Sequence, residues 1–124
     1  MQDWASAEVR GRIRGYLRSV NPHPKCLVTL SHIGYVKPCD HKYIHIVDVP
    51  LAHPLLVSNV LHSAYSKIGL SKEYACHKLT QGSFQKEHRS IMSADIVTVP
   101  SSFVKMSLLN AGIPEEKIRK IPYG

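Results

Sequence analysis

The chain has no run of about 18 consecutive apolar residues, which excludes a membrane-spanning helix. Its opening, MQDWASAEVRGRIRG, lacks an apolar centre ahead of a small-residue cleavage site, so it does not read as a secretion signal. Cysteine is scarce. Cys26, Cys39 and Cys76 are an odd number with no close pair, which argues against a disulfide scaffold and for free thiols in a reducing cytoplasm. Neither C-x-x-C nor H-E-x-x-H occurs. Zinc sites usually show one such pair, so Cys39, His41 and His45 are not expected to hold a metal, although they are near one another in the chain. Cys76-His77 has no base or orienting partner in sequence, and nucleophilic catalysis is not supported. Acidic residues are few, 9 against 16 lysines and arginines, and the formal net charge is +7. Such an excess suits anionic partners, namely phosphates, nucleic acid or an acidic membrane face; it suits a solvated basic surface equally well.

What is present is globular. The 124 residues are 44% hydrophobic and 20% charged, enough for one domain that buries roughly two-thirds of its unfolded surface. In WASAEVRGRIRGYLRSV, Val9, Ile13, Tyr16, Leu17 and Val20 repeat at helical spacing, with Arg10, Arg12, Arg14 and Arg18 largely away from that stripe. Asp3 is a candidate N-cap, and the NPHP that follows Val20 forbids continuation. KCLVTLSHIGYV and YIHIVDV read as strands buried on two sides, Ile44 and Ile46 facing one way and Val47 and Val49 the other. The join KPCDHK is too short for a helical crossover, so one of these strands is short, an edge, or antiparallel.

A helix follows from Pro54, whose fixed φ suits a first helical position, with Leu56, Val60, Leu61, Ala64, Tyr65 and Ile68 as its apolar face. Gly69 is a natural stop. SKEYACHKLTQG is weakly patterned and reads as loop, and Ser83 can cap the next helix, FQKEHRSIMS. DIVTV is then a strand, Ser101 caps a helix that presents Phe103, Val104, Leu108 and Ala111, Gly112 and Pro114 end it, and KIRKI returns as a strand. These elements make the fold class α/β with at least a partly parallel sheet flanked by helices; the family likeness that the same residues carry makes it a partial Rossmann-like domain with a mostly parallel sheet.

The same residues carry a resemblance. AD-x-x-x-x-PS-x-x-V (from Ala94 and Asp95 through Pro100, Ser101 and Val104), G-I-P-x-x-K-I (Gly112 to Ile118) and I-P-Y-G (Ile121 to Gly124) are similar to the end of the N-terminal domain of retaining glycosyltransferases of the GT-B fold, family four. Val49 to Gly69 resembles a segment of one branch of that family, with His53 as its histidine. The likeness covers about residues 43–124. Where that branch usually carries a serine or threonine, a glutamine and a glutamate, this chain has Leu51, Val57 and Ala64.

The resemblance implies a single partial domain, residues 1–124, equivalent to the acceptor-side half of the enzyme, with Gly124 where the hinge to the donor-binding domain would begin. The complete enzyme would transfer a sugar from a nucleotide-sugar to an acceptor with retention; the half alone is expected to be inactive. No further cofactor and no metal is implied. The catalytic position carried over is His53, which either contacts the sugar or satisfies backbone groups at a helix start. Asp48, Ser101, Tyr123 and Gly124 are the candidate substrate-binding residues, although Ser101 is most simply a cap and Asp48 more simply a partner of a neighbouring loop. Arg10, Arg12, Arg14 and Arg18 could bring the chain to an anionic membrane face from the cytoplasm. An open sheet edge would favour self-association. Nucleic acid is disfavoured, because no recognisable binding motif accompanies the arginines. The alternative reading is a non-catalytic α/β interaction module, in which Leu51, Val57 and Ala64 cover a former cleft.

Overall fold

A computed structural model describes residues 2–70 and 81–123. Within them the chain forms α1 (Gln2–Ser19), β1 (Cys26–Leu30), β2 (Ile44–Asp48), α2 (Pro54–Lys67), α3 (Gln81–Ser93), β3 (Ile96–Val99), α4 (Ser102–Asn110) and β4 (Ile118–Lys120). The four strands make one sheet in chain order, β1-β2-β3-β4, and every neighbouring pair is parallel. The α/β, Rossmann-like class holds, and the sheet is wholly rather than mostly parallel. Cys76 and the expected loop around it, together with Gly124 and the Ser83 side chain, lie outside the described residues. Among the described residues no helix is long and apolar enough to cross a membrane.

KCLVTLSHIGYV does not run on as one strand. β1 stops at Leu30, a 3₁₀ turn occupies Ser31–Ile33, and Gly34 takes the left-handed conformation at φ 67°. A side chain there would be strained by that φ and would press on Lys86, 3.2 Å from an added Cβ. The break leaves residues 31–43 to carry the chain back to the start of β2, which parallel pairing requires. Cys26 therefore pairs with Ile44 and Leu30 with Asp48. β1 is short and at the edge, and the antiparallel alternative is not adopted.

The two-sided burial expected of these strands is corrected. His45, Val47 and Val49 are buried, whereas Ile44 on the alternate face is exposed, as is Val28 of β1 at 62%. The helices explain this. Ile91 of α3 and Val104 and Leu108 of α4 join Val47, Val49, Val97 and Val99 in one core. Leu17 of α1 joins Tyr35 and Tyr43 in a second, with Ile13, Leu27 and Ile33 against it. Side chains alternate across a strand, so all these contacts lie on one face.

Three helical faces also differ from the sequence pattern. Phe103 is 65% exposed, while Val104, Ser107 and Leu108 are buried. Ser101 fixes the start of α4, and from there Val104, Leu108 and Ala111 share a stripe that Phe103 misses by one position, about 100° of rotation. In α2 Pro54 is buried and Leu56, Leu61 and Tyr65 are half-buried, but Val60 and Ala64, and Ile68 just past its end, are exposed. α1 contacts the body along a narrow strip of Ile13, Leu17 and Val20, leaving Val9 and Tyr16 exposed. It starts at Gln2, so Asp3 lies inside it rather than capping it. Arg10 turns inward and donates to the Ile33 carbonyl at 2.8 Å.

The join between the two cores is polar. The Asp95 N–H donates to the His45 carbonyl at 2.9 Å, and the Asp95 carboxylate accepts the His45 N–H at 2.8 Å. Lys37 donates to the same oxygen at 2.7 Å. These contacts hold the Asp95 carboxyl below its ordinary range, the His45 backbone bond first and Lys37 second.

Because Leu108 is fully buried and Phe103 is not, truncating each should separate the observed face of α4 from the one its pattern suggests. Leu108→Ala is expected to cost about 2–5 kcal/mol in urea unfolding, and Phe103→Ala no more than about 0.5 kcal/mol. Equal losses would contradict this placement of the helix.

Candidate functional site

The carboxyl ends of the parallel strands gather most of the named candidates. Asp48 ends β2. One of its oxygens accepts from the Thr98 hydroxyl of β3 at 2.7 Å, the other from the Tyr123 hydroxyl at 2.9 Å. The register makes this possible, since Asp48 pairs directly with Thr98 and their side chains share a face. Tyr123 is reached because β4 lies beside β3, with the Ile121 N–H donating to the Val99 carbonyl at 2.8 Å as the chain leaves the sheet. The phenol is 59% exposed at the residue level, and its bond to Asp48 raises its proton affinity. Two candidates far apart in sequence thus meet in a carboxylate–phenol pair at the sheet's rim.

His53 follows five residues after Asp48 and is the N-cap of α2. Its Nδ1 accepts the Leu55 N–H at 3.2 Å, and its backbone N–H donates to Ser107 Oγ at 2.9 Å. Nε2 lies 3.1 Å from His88 Nδ1. An accepting Nδ1 leaves the ring proton on Nε2, which then donates to His88. Phe84 meets the His53 ring edge-on at 5.4 Å. Burial, with His88 as a second cause, lowers the His53 pKa to about 4, so the ring is neutral at pH 7. Of the two readings of His53, this geometry is that of a histidine satisfying backbone groups, and it is almost fully buried.

Ser101 accepts the Val104 N–H at 3.2 Å and caps α4. No hydrogen bond among the described residues joins it to Asp48, Tyr123 or His53. Gly124 lies outside the described residues.

A concavity of about 160 Å³ opens at the ends of β1 and β2, lined by Ser31, Pro50, Leu51, Val57 and Glu87 among others. Glu87 accepts from Ser31 Oγ at 2.6 Å, across 56 positions of sequence. Leu51 and Val57, two of the apolar departures from the resembling branch, form its wall; Ala64 is exposed further along α2. Ser31, Glu87, His88 and Thr98 were not indicated by sequence pattern. For Thr98 a signal existed, because it is the one polar side chain in the short apolar strand Ile96–Val99. For the others none did, since each depends on contacts between distant segments.

Among the described residues no group of three histidine, cysteine or acidic side chains is placed to hold a metal ion. His45 turns inward to Thr29 Oγ1 at 2.9 Å, while Cys39 is exposed and His41 sits against Tyr43. No family model, curated protein or solved structure matches this chain.

The two buried histidines set a pH dependence. Burial lowers His45 to about 4 as well, and its Nδ1 has no hydrogen-bond partner, so a second ring proton would find no acceptor. Both folded values lie below the unfolded 6.5. Stability is then complete above pH 6.5 and is lost as pH falls towards 4, on the order of 3 kcal/mol per ring. Urea unfolding from neutral pH downward should show this loss, and His53→Gln should reduce its slope. A stability that stays flat across the range would overturn the assignment.

Proposed function

We propose that the chain is the acceptor-side domain of a retaining, GT-B-type glycosyltransferase, forming one wall of a cleft that receives a nucleotide-sugar and its acceptor in the complete enzyme. The observation that carries this reading is the Asp48–Thr98–Tyr123 cluster at the carboxyl edge of three parallel strands. Ligands of open parallel α/β sheets bind outside that edge. A carboxylate there accepts sugar hydroxyls, and the Tyr123 phenol offers a second polar group at the same rim. The amino ends of α2 and α4 follow the ends of β2 and β3, and the partial positive charge of helix starts favours a diphosphate. In α4, Ser101 takes the Val104 N–H.

Neutral, buried His53 acts in this reading as a positioning residue: it fixes the loop between Asp48 and α2 through Leu55, His88 and Ser107. The resemblance supports the same assignment at three local points. The Ala-Asp pair locks β3 to β2, Pro-Ser caps α4, and the Gly-Ile-Pro turn brings β4 into the sheet.

A second reading, a non-catalytic interaction module, is favoured by one observation. Leu51, 73% exposed, and Val57 give the concavity beside His53 an apolar wall where sugar recognition calls for polar groups.

Calorimetric titration of the purified chain with a panel of nucleotide-sugars and free nucleoside diphosphates separates the two. Micromolar binding, weakened about tenfold by Asp48→Ala or Tyr123→Phe, is the expected result for the glycosyltransferase domain. A folded protein that gives no heat with any of them rules that domain's cleft out and leaves the interaction module.

A further inference from the structure

The opposite, amino edge of the sheet carries a different chemistry. Lys25 stands just before β1 and Lys42 just before β2, and the last turns of α1 bring Arg14 and Arg18 beside them. Two adjacent concavities of about 260 and 430 Å³ share Leu17 and His41 as common lining. The larger is within the range of small-molecule sites and the smaller just below it. Their floor is Leu17, Tyr35 and Tyr43, all buried.

Charge balance here is one-sided. Arg14, Arg18, Lys25 and Lys42 line the concavities, and none makes a side-chain hydrogen bond or ion pair among the described residues. Several other cations are engaged elsewhere. Arg10 is spent on the Ile33 carbonyl, Arg12 on Glu8, Lys37 on Asp95 and Lys105 on Glu115. Asp40 is the single carboxylate in the lining, and its near neighbour is His41 at 3.9 Å. Arg14 and Arg18 are one helical turn apart, where like charges repel by a few tenths of a kcal/mol.

The floor adds no negative charge. The Tyr35 and Tyr43 hydroxyls bond each other at 2.6 Å, and burial followed by that bond pushes the Tyr43 phenol well above its ordinary range. An anion in the smaller concavity would meet two guanidinium forks, and one in the larger two ammonium groups, over a base that adds no charge. Guanidinium forks match phosphate oxygens in pairs.

We propose that this concave surface, at the end of the sheet away from Asp48 and Tyr123, binds a phosphate-bearing anion, with Arg14 and Arg18 on one wall and Lys25 and Lys42 on the other. The apolar floor takes the part of the ligand that carries the phosphate. The ligand is a soluble diphosphate or organic phosphate, or the headgroup of an anionic lipid. This assignment changes the role of the arginine-rich helix: it contributes two residues to a formed site instead of a uniform basic face.

The test is titration of the full chain at about 0.15 M salt, where nonspecific attraction between exposed charges is largely screened. The probes are sodium pyrophosphate, ATP, phosphatidylglycerol vesicles and, as a neutral control, phosphatidylcholine vesicles. Saturable binding of at least one phosphate probe is expected, lowered about tenfold or more by Arg14→Ala/Arg18→Ala and again by Lys25→Ala/Lys42→Ala. Arg12→Ala, on the same helix but outside the site, should leave it unchanged. Pyrophosphate or ATP binding assigns a soluble phosphate; vesicle binding alone, lost in the same variants, assigns the lipid headgroup. An Arg12→Ala loss equal to that of the double variants would overturn the site in favour of diffuse charge attraction, and so would no binding of any phosphate probe to folded protein.

Discussion

The reciprocal bond between Asp95 and His45 is the constraint on which the rest of the structure depends. Asp95 gives its N–H to the His45 carbonyl and takes the His45 N–H on its carboxylate, so two neighbouring strands are pinned at their starts. Side chains on a strand alternate with period two, and a slip of one residue would carry Val97 and Val99 off the helix-covered face and put Ile96 and Thr98 there. The same register sets Thr98 opposite Asp48. The geometry of the carboxyl rim is thus decided three residues upstream, by a carboxylate that never reaches the rim. Lys37 adds its charge to the clamp and ties in the segment that crosses from β1 to β2.

What could be read in the sequence was what is local. The Pro54 start and Gly69 stop of α2, the Ser101 cap and Gly112 stop of α4, and the strand–helix–strand unit they enclose all depend on neighbours within a few positions. Phase and covering depend on more. Phe103 is as apolar as Val104, and only the position of α4 on the sheet decides which is buried. The strand pattern of Ile44 to Val49 is right, but pattern alone carries no record of which face the helices take. β1 read too long because Gly34, inside an apolar stretch, acts as a turn.

The site was legible as residues and illegible as contacts. Asp48 and Tyr123 were both named, yet the bond between them spans 75 positions and follows from strand order. His53 was named for a polar role, and its partners turn out to be a backbone amide, a serine and a second histidine. Glu87 and Ser31 meet across a concavity whose walls come from three separate segments. Along the strand direction the molecule is also electrically divided. The Asp48 carboxylate, the Tyr123 phenol and the uncharged His53 imidazole stand at the carboxyl rim, while cations unpaired among the described residues gather at the amino rim.

The strand order has a consequence for how the molecule is made. Because β1, β2, β3 and β4 lie side by side in the order in which they are synthesised, no strand has to be inserted between two that are already paired. Each emerging strand can dock on the edge left by the one before it, a staircase built from the N-terminal end at the pace of the ribosome. The contact from Tyr123 back to Asp48 spans 75 positions and forms only after Tyr123 has left the tunnel. The carboxyl rim around Asp48 is therefore completed later than the pairing of β1, β2 and β3.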